Sequence, residues 1–153
     1  MSPASGSHAA SGLDPATSVA DLELAWQERE DEAVILANSS SHSTALSLRV
    51  YSLEIRLKAR ICKMLKLDYL PQILKSHELS KLIIFTGLWD ELEDPKNAAV
   101  RQNWDILVDF SKLRLNGQRY LPRANLDPKE LTKYNQALDD PSSGVLAWLA
   151  RPR

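Results

Sequence analysis

Thr44 to Lys66 runs 23 residues without a glycine or proline, and this commits the middle of the chain to one long helix. Stepping 100° per residue from Arg49 separates three faces. Arg49, Arg56, Arg60 and Lys63 fall within about 40° of the Arg49 direction, a narrow basic stripe. Leu46, Val50, Leu53, Leu57, Ile61 and Met64 form one apolar flank; Leu48, Tyr51, Ile55, Ala59 and Cys62 form the other. Glu54 and Lys58 lie between the flanks, opposite the stripe. A helix apolar on two flanks is mostly buried, with one flank against its own domain and the other available to a partner subunit.

The remaining chain punctuates itself around that helix. Residues 1–12 are Ser, Ala, Gly, Pro and His with little to bury, and read as a flexible leader. A first helix starts at Asp14-Pro15, with Thr17 and Ser18 as rival caps, and runs to about residue 38. Its segment Asp21 to Glu32 holds six acids against one base, a pattern that reads as a solvated face. Ser76 serves as N-cap, with Glu78 in the first turn, for a helix closing at Gly87. Trp89 to Pro95 reads as an acidic link with Glu91 and Glu93 solvated. A fourth helix covers 96–115 and stops at Asn116-Gly117; Arg119 to Asp127 is a loop. Asp127-Pro128 opens a short helix to Leu138, and Val145 to Ala150 forms a final turn or two. No strand alternation stands out. The expected class is all-α, an antiparallel bundle of four main helices at 15–38, 43–66, 77–87 and 96–115 plus a short C-terminal helix. Residues 13–153 read as one domain.

Composition narrows the function classes. With 44% hydrophobic and 25% charged residues the chain is ordinary globular material, and its 19 basic and 20 acidic residues leave no global field to recruit nucleic acid or a membrane. The single cysteine, Cys62, cannot form an internal disulfide and reads as an inert core thiol in a cytoplasmic protein. The charge is nevertheless uneven. Arg49 to Lys66 carries six bases against one acid, a concentration suited to phosphate binding. One cysteine and three scattered histidines make no metal site, and no P-loop, dinucleotide fingerprint or serine-hydrolase elbow occurs.

The block from Ala45 to Ala59, with its Glu54-x-x-x-Lys58 centre, resembles the HEPN superfamily, as does Lys75-Ser76-His77-Glu78-Leu79-Ser80-Lys81-Leu82. Gly87-Leu88 fits the family's helix end, and Trp104 and Arg119-Tyr120 sit where related bacterial domains often carry an aromatic and an Arg-Tyr pair. The resemblance implies an up-and-down helical bundle, commonly a homodimer. Members include metal-independent ribonucleases of toxin-antitoxin or defence systems and partners of nucleotidyltransferases. The ribonuclease members use Arg-x4-6-His. Here His77 is preceded at 70–72 by Leu, Pro and Gln, His42 at 35–37 by Ile, Leu and Ala, and His8 by no arginine at all. The motif is absent.

Three readings follow. The leading one is a non-catalytic nucleotide- or RNA-binding accessory domain that uses Arg49, Arg56, Arg60 and Lys63, needs no cofactor or metal, and pairs with a nucleotidyltransferase. The second is a divergent ribonuclease assembled from Glu54, Lys58, Arg56 and His77. The third is a helical protein-interaction module. Glu54, Lys58, Lys75 and His77 are the polar residues of the resembling blocks. Glu54 and Lys58 form either an exposed i,i+4 pair or a buried one that fixes register, and His77 is expected to hydrogen-bond across its loop.

Overall fold

The computed structural model describes residues 13–115 and 126–153; the expected leader at 1–12, the stop at Asn116-Gly117 and the Arg119-Tyr120 pair lie outside them. Seven α-helices are found among the described residues: α1 Val19–Asn38, α2 His42–Met64, α3 Leu79–Phe85, α4 Trp89–Glu93, α5 Ala98–Phe110, α6 Pro128–Asp139 and α7 Val145–Leu149. Helix α5 is preceded by a 3-10 turn at Pro95–Asn97 and followed by a wider π-type turn at Ser111–Leu115. The helical class expected from the sequence is what the molecule shows.

Local chemistry sets the limits of the two long helices. Ser18 caps α1 by accepting the Asp21 N–H at 3.1 Å, while the Asp21 carboxylate accepts the Ser18 N–H at 3.4 Å. That reciprocal pair is a capping box, and Asp21 also places negative charge at the positive end of the helix. Of the rival caps, Ser18 is the one used, so α1 starts four residues later than Pro15. At its end Ser40 turns left-handed (φ 64°), with Ser40 N–H on Ala37 C=O at 3.1 Å and Ser41 N–H on Leu36 C=O at 2.8 Å. Helix α2 ends the same way. Lys66 is left-handed (φ 55°), Lys66 N–H reaches Lys63 C=O and Leu67 N–H reaches Cys62 C=O. Both ends are Schellman motifs built on residues other than glycine. This is why α2 stops at Met64 although the apolar pattern continues to Lys66.

The three-residue link Ser39–Ser41 folds α1 back along α2, so that Glu23 meets Lys63, the Trp26 carbonyl meets Ser52 and Glu30 meets Arg49. Helix α2 supplies the centre of the core, with Leu46, Val50, Leu53, Leu57 and Ile61 each at most 1% exposed. Around it pack Leu82 and Ile83 of α3, Leu92 of α4, Trp104 and Phe110 of α5, Leu138 of α6 and Trp148 of α7. The other flank is only partly covered: Ala59 and Cys62 are buried, while Leu48, Tyr51 and Ile55 are half-buried. Met64, assigned to the buried flank, is exposed at the helix end.

The structure departs from the sequence reading in four further places. A two-stranded antiparallel ladder joins β1 (Leu13–Ser18) to β2 (Tyr69–Pro71), pinning the start of α1 to the chain leaving α2. Three residues and a segment holding Asp and Pro give no alternation to read; tertiary closure, not propensity, makes the ladder. Helix α3 begins at Leu79, so Ser76 is not its N-cap; its hydroxyl instead accepts the Glu78 N–H at 3.1 Å. The acidic link contains helix α4, because Leu92 is fully buried. Glu91 is half-buried there and paired: it accepts from Trp148 Nε1 at 2.9 Å and from Arg153 at 2.8 and 3.0 Å. The span 96–115 is three helical geometries in succession rather than one regular helix.

Candidate functional site

Positions 56, 60 and 63 repeat at helical spacing, so Arg56, Arg60 and Lys63 project from one side of α2. The return of α1 brings Glu23 and Trp26 alongside, and α7 contributes Leu149. Together with Leu57 and Met64 these residues line a cavity of about 510 Å³. Three of the four stripe cations expected to bind phosphate therefore share one concavity.

Each cation there is held differently. The Arg56 guanidinium lies 4.8 Å from the centre of the Trp26 ring, a cation–π contact. Burial lowers the Arg56 pKa, opposed by the charges of Glu23 and Glu30 and aided by Arg60. Arg60 is half-buried, and its Nε is buried with no hydrogen-bond partner among the described residues. Burial, and then the nearby charge of Arg153, lower its pKa, with Glu91 working the other way. Lys63 is exposed, with its Nζ 2.6 Å from Glu23 Oε1. Glu23 Oε2 accepts Trp26 Nε1–H at 2.9 Å. Burial works to raise the Glu23 pKa, but the bonds from Lys63 and Trp26 and the charges of Lys63 and Arg56 hold it below the ordinary carboxylate range. The cavity wall thus carries three cations against one ionised carboxylate. One of those cations, Arg60, also keeps a buried Nε–H without an acceptor, which costs the fold free energy.

Arg49, the fourth member of the stripe, does other work. It donates to both oxygens of Asp139, at 2.7 and 2.5 Å, to Asn135 Oδ1 at 3.1 Å and to Glu30 Oε2 at 3.1 Å. Burial opposes its charge, and Asp139 and Glu30 outweigh that and raise its pKa. Its guanidinium clasps α1, α2 and α6 together, with four of its five N–H groups engaged, three of them by carboxylates. Its place in the expected phosphate site is corrected accordingly: Arg49 lines a separate cavity with Glu30, His42 and Asp139.

The residues of the resembling blocks form a third group. Lys58 Nζ donates to Glu54 Oε1 at 2.8 Å, with side chains only 8% and 7% exposed, so the pair is buried rather than a surface pair. The same oxygen lies 2.9 Å from His77 Nδ1, which links the exposed loop before α3 to α2 as expected. A carboxylate only accepts, so in this bond Nδ1–H is the donor. Lys75 is exposed on the same connection. Arg56 is not part of this group: it faces the Trp26 cavity, which contains none of Glu54, Lys58 and His77. The four residues of the divergent-ribonuclease reading are therefore split between two sides of α2. Cys62 is fully buried, and burial raises its thiol pKa.

Sequence reasoning missed Glu23, Trp26 and Leu149 as lining residues. The signal for the first two was available: a tight link at Ser39–Ser41 forces the early turns of α1 beside the late turns of α2. Leu149 arrives from the end of the chain and has no such local cue. Among the described residues no three His, Cys, Asp or Glu side chains gather in a way that could hold a metal ion, and no helix is long and apolar enough to cross a membrane. No family model matches this chain, and no match is found among curated proteins or solved structures.

Proposed function

We propose that this chain is a non-catalytic helical domain that binds phosphate-bearing ligands, nucleotides or RNA, in the cavity of Arg56, Arg60 and Lys63. The observation that carries this reading is the gathering of Arg56, Arg60 and Lys63 in one cavity against a single carboxylate, Glu23. A phosphate oxygen is the acceptor such cations require, and a guanidinium fork matches its geometry. The HEPN-like blocks support the same class. With it come the antiparallel-bundle frame, a homodimer through the half-buried flank of Leu48, Tyr51 and Ile55, a nucleotidyltransferase partner and a cytoplasmic setting.

Calorimetric titration with AMP and with a short single-stranded RNA tests the reading. Binding is expected to weaken steeply with salt and to fall at least about tenfold in Arg56→Ala/Arg60→Ala, because hydrogen bonds to charged groups contribute about 1.5–3 kcal/mol each. Arg49→Ala should leave affinity unchanged. RNA cleavage by the purified protein, lost in His77→Ala, would replace this reading with the nuclease one.

A further inference from the structure

An anion site gains nothing from a carboxylate in its wall, yet Glu23 sits among the three cations with both oxygens engaged by neighbours. Lys63 neutralises it across 2.6 Å, and the Trp26 N–H fixes its rotamer. Each carboxylate oxygen accepts at two positions, so Glu23 keeps capacity for further donors from a ligand. Trp26, meanwhile, is already committed: the Arg56 guanidinium covers one ring face and its N–H serves Glu23. Its role is to position Arg56 and Glu23 rather than to act as an open platform for a base.

Resting on the phosphate-binding reading, we infer that Glu23 is the specificity-determining residue of the cavity. It selects a phosphomonoester that also presents hydroxyl donors, a sugar phosphate or the ribose phosphate part of a nucleotide, over a bare polyanion. The phosphate takes the Arg60 guanidinium with Arg56 beside it, and the sugar hydroxyls donate to Glu23. Inorganic pyrophosphate brings more charge for the arginines than a phosphomonoester does but no sugar hydroxyl, and its oxygens meet the Glu23 carboxylate at close range. The cavity volume of about 510 Å³ lies in the range of small-molecule pockets and exceeds what one phosphate fills. Recognition is indifferent to the base because Arg56 takes a face of the Trp26 ring and no amide side chain lines the cavity to read a base edge.

The test is calorimetry at low salt on the full chain with ribose 5-phosphate, AMP and inorganic pyrophosphate, for the unaltered protein, Glu23→Gln and Arg60→Ala. The unaltered protein should bind ribose 5-phosphate and AMP within about threefold of each other and both more tightly than pyrophosphate. Glu23→Gln should reverse the order, with pyrophosphate gaining about fivefold or more and the two sugar phosphates losing. Trp26→Phe, which keeps a ring for Arg56 but frees Glu23 from the indole N–H, should shift the ratio in the same direction by less. It decides the matter should Glu23→Gln fail to fold. A uniform change for all three ligands would reduce Glu23 to a counter-ion of Lys63 and overturn the inference; so would an unaltered protein that prefers pyrophosphate, or AMP bound far more tightly than ribose 5-phosphate. No binding of any of the three, or binding indifferent to Arg60→Ala, would instead remove the phosphate-binding reading beneath it.

Discussion

The same stripe of α2 holds two kinds of arginine, and neighbours rather than spacing decide which is which. Arg49 meets Glu30, Asn135 and Asp139, whereas Arg60 meets the unlike environment of Arg153 and a buried, partnerless Nε. Arg49→Ala is expected to lower stability by about 1–3 kcal/mol, discounted toward the lower figure because Asp139 is half exposed. Arg60→Ala should leave the melting midpoint unchanged or raise it slightly, since it removes an unsatisfied buried donor. Thermal melts of the two variants check both. Spacing showed that these residues share a face; it did not show that α6 would bring Asp139 to Arg49, because that contact joins positions 90 apart in sequence. The buried pair behaves differently again. Glu54→Leu strands the Lys58 ammonium in the core and should cost about 3–5 kcal/mol, while Glu54→Leu with Lys58→Met should cost much less, a contrast that urea unfolding of the single and double variants measures. The wheel located this pair between the two apolar flanks, which is why its burial was legible as one of two options before any coordinates.

At the scale of elements, starts and stops were legible where short-range chemistry marks them. Asp127-Pro128 opens α6 as expected, its carboxylate accepting the Lys129 N–H at 2.9 Å, because caps are short-range chemistry. The end of α1 at Asn38 was legible from the polar break that follows it; that of α2 was not, because left-handed Lys66 carries no glycine signal. Both left-handed positions are improvable: Ser40→Gly and Lys66→Gly should each stabilise the protein by about 0.5–1 kcal/mol, the relief of left-handed strain less the added freedom of the unfolded chain. Gly87, at φ 73°, is the glycine the sequence did announce. A Cβ there would meet Met64 Sδ at an ordinary 3.6 Å, so Gly87→Ala should cost only the backbone term, about 1–2 kcal/mol. Denaturation midpoints of the three variants separate strain from packing. Helix α4 was missed for another reason: five residues are too few for a period, and only the burial of Leu92 and the reach of Arg153 and Trp148 to Glu91 reveal its role.

For the whole molecule, acid should loosen the contacts that close the chain on itself. The Arg153 guanidinium, ahead of the opposing effect of burial, holds the Glu91 carboxyl below its ordinary range, and Glu23 is likewise lowered. A carboxyl with a depressed folded-state pKa contributes stability that is complete above its unfolded value, about 4.3, and is lost as pH falls through the folded one. Melting midpoints should therefore drop between about pH 5 and pH 3, and less so in Glu91→Gln. The helical class was legible because long apolar periodicity and caps are local; the cavity was legible only by half, as one helix face, since its other walls come from α1 and α7. The central claim is that this cavity binds phosphate through Arg60. The direct measurement is the dissociation constant for AMP, by calorimetry at low salt, in the unaltered protein, Arg60→Ala and Arg49→Ala. Affinity should fall about tenfold or more in Arg60→Ala with its fold intact, and stay unchanged in Arg49→Ala. Equal affinity in Arg60→Ala, or loss only in Arg49→Ala, would contradict the account.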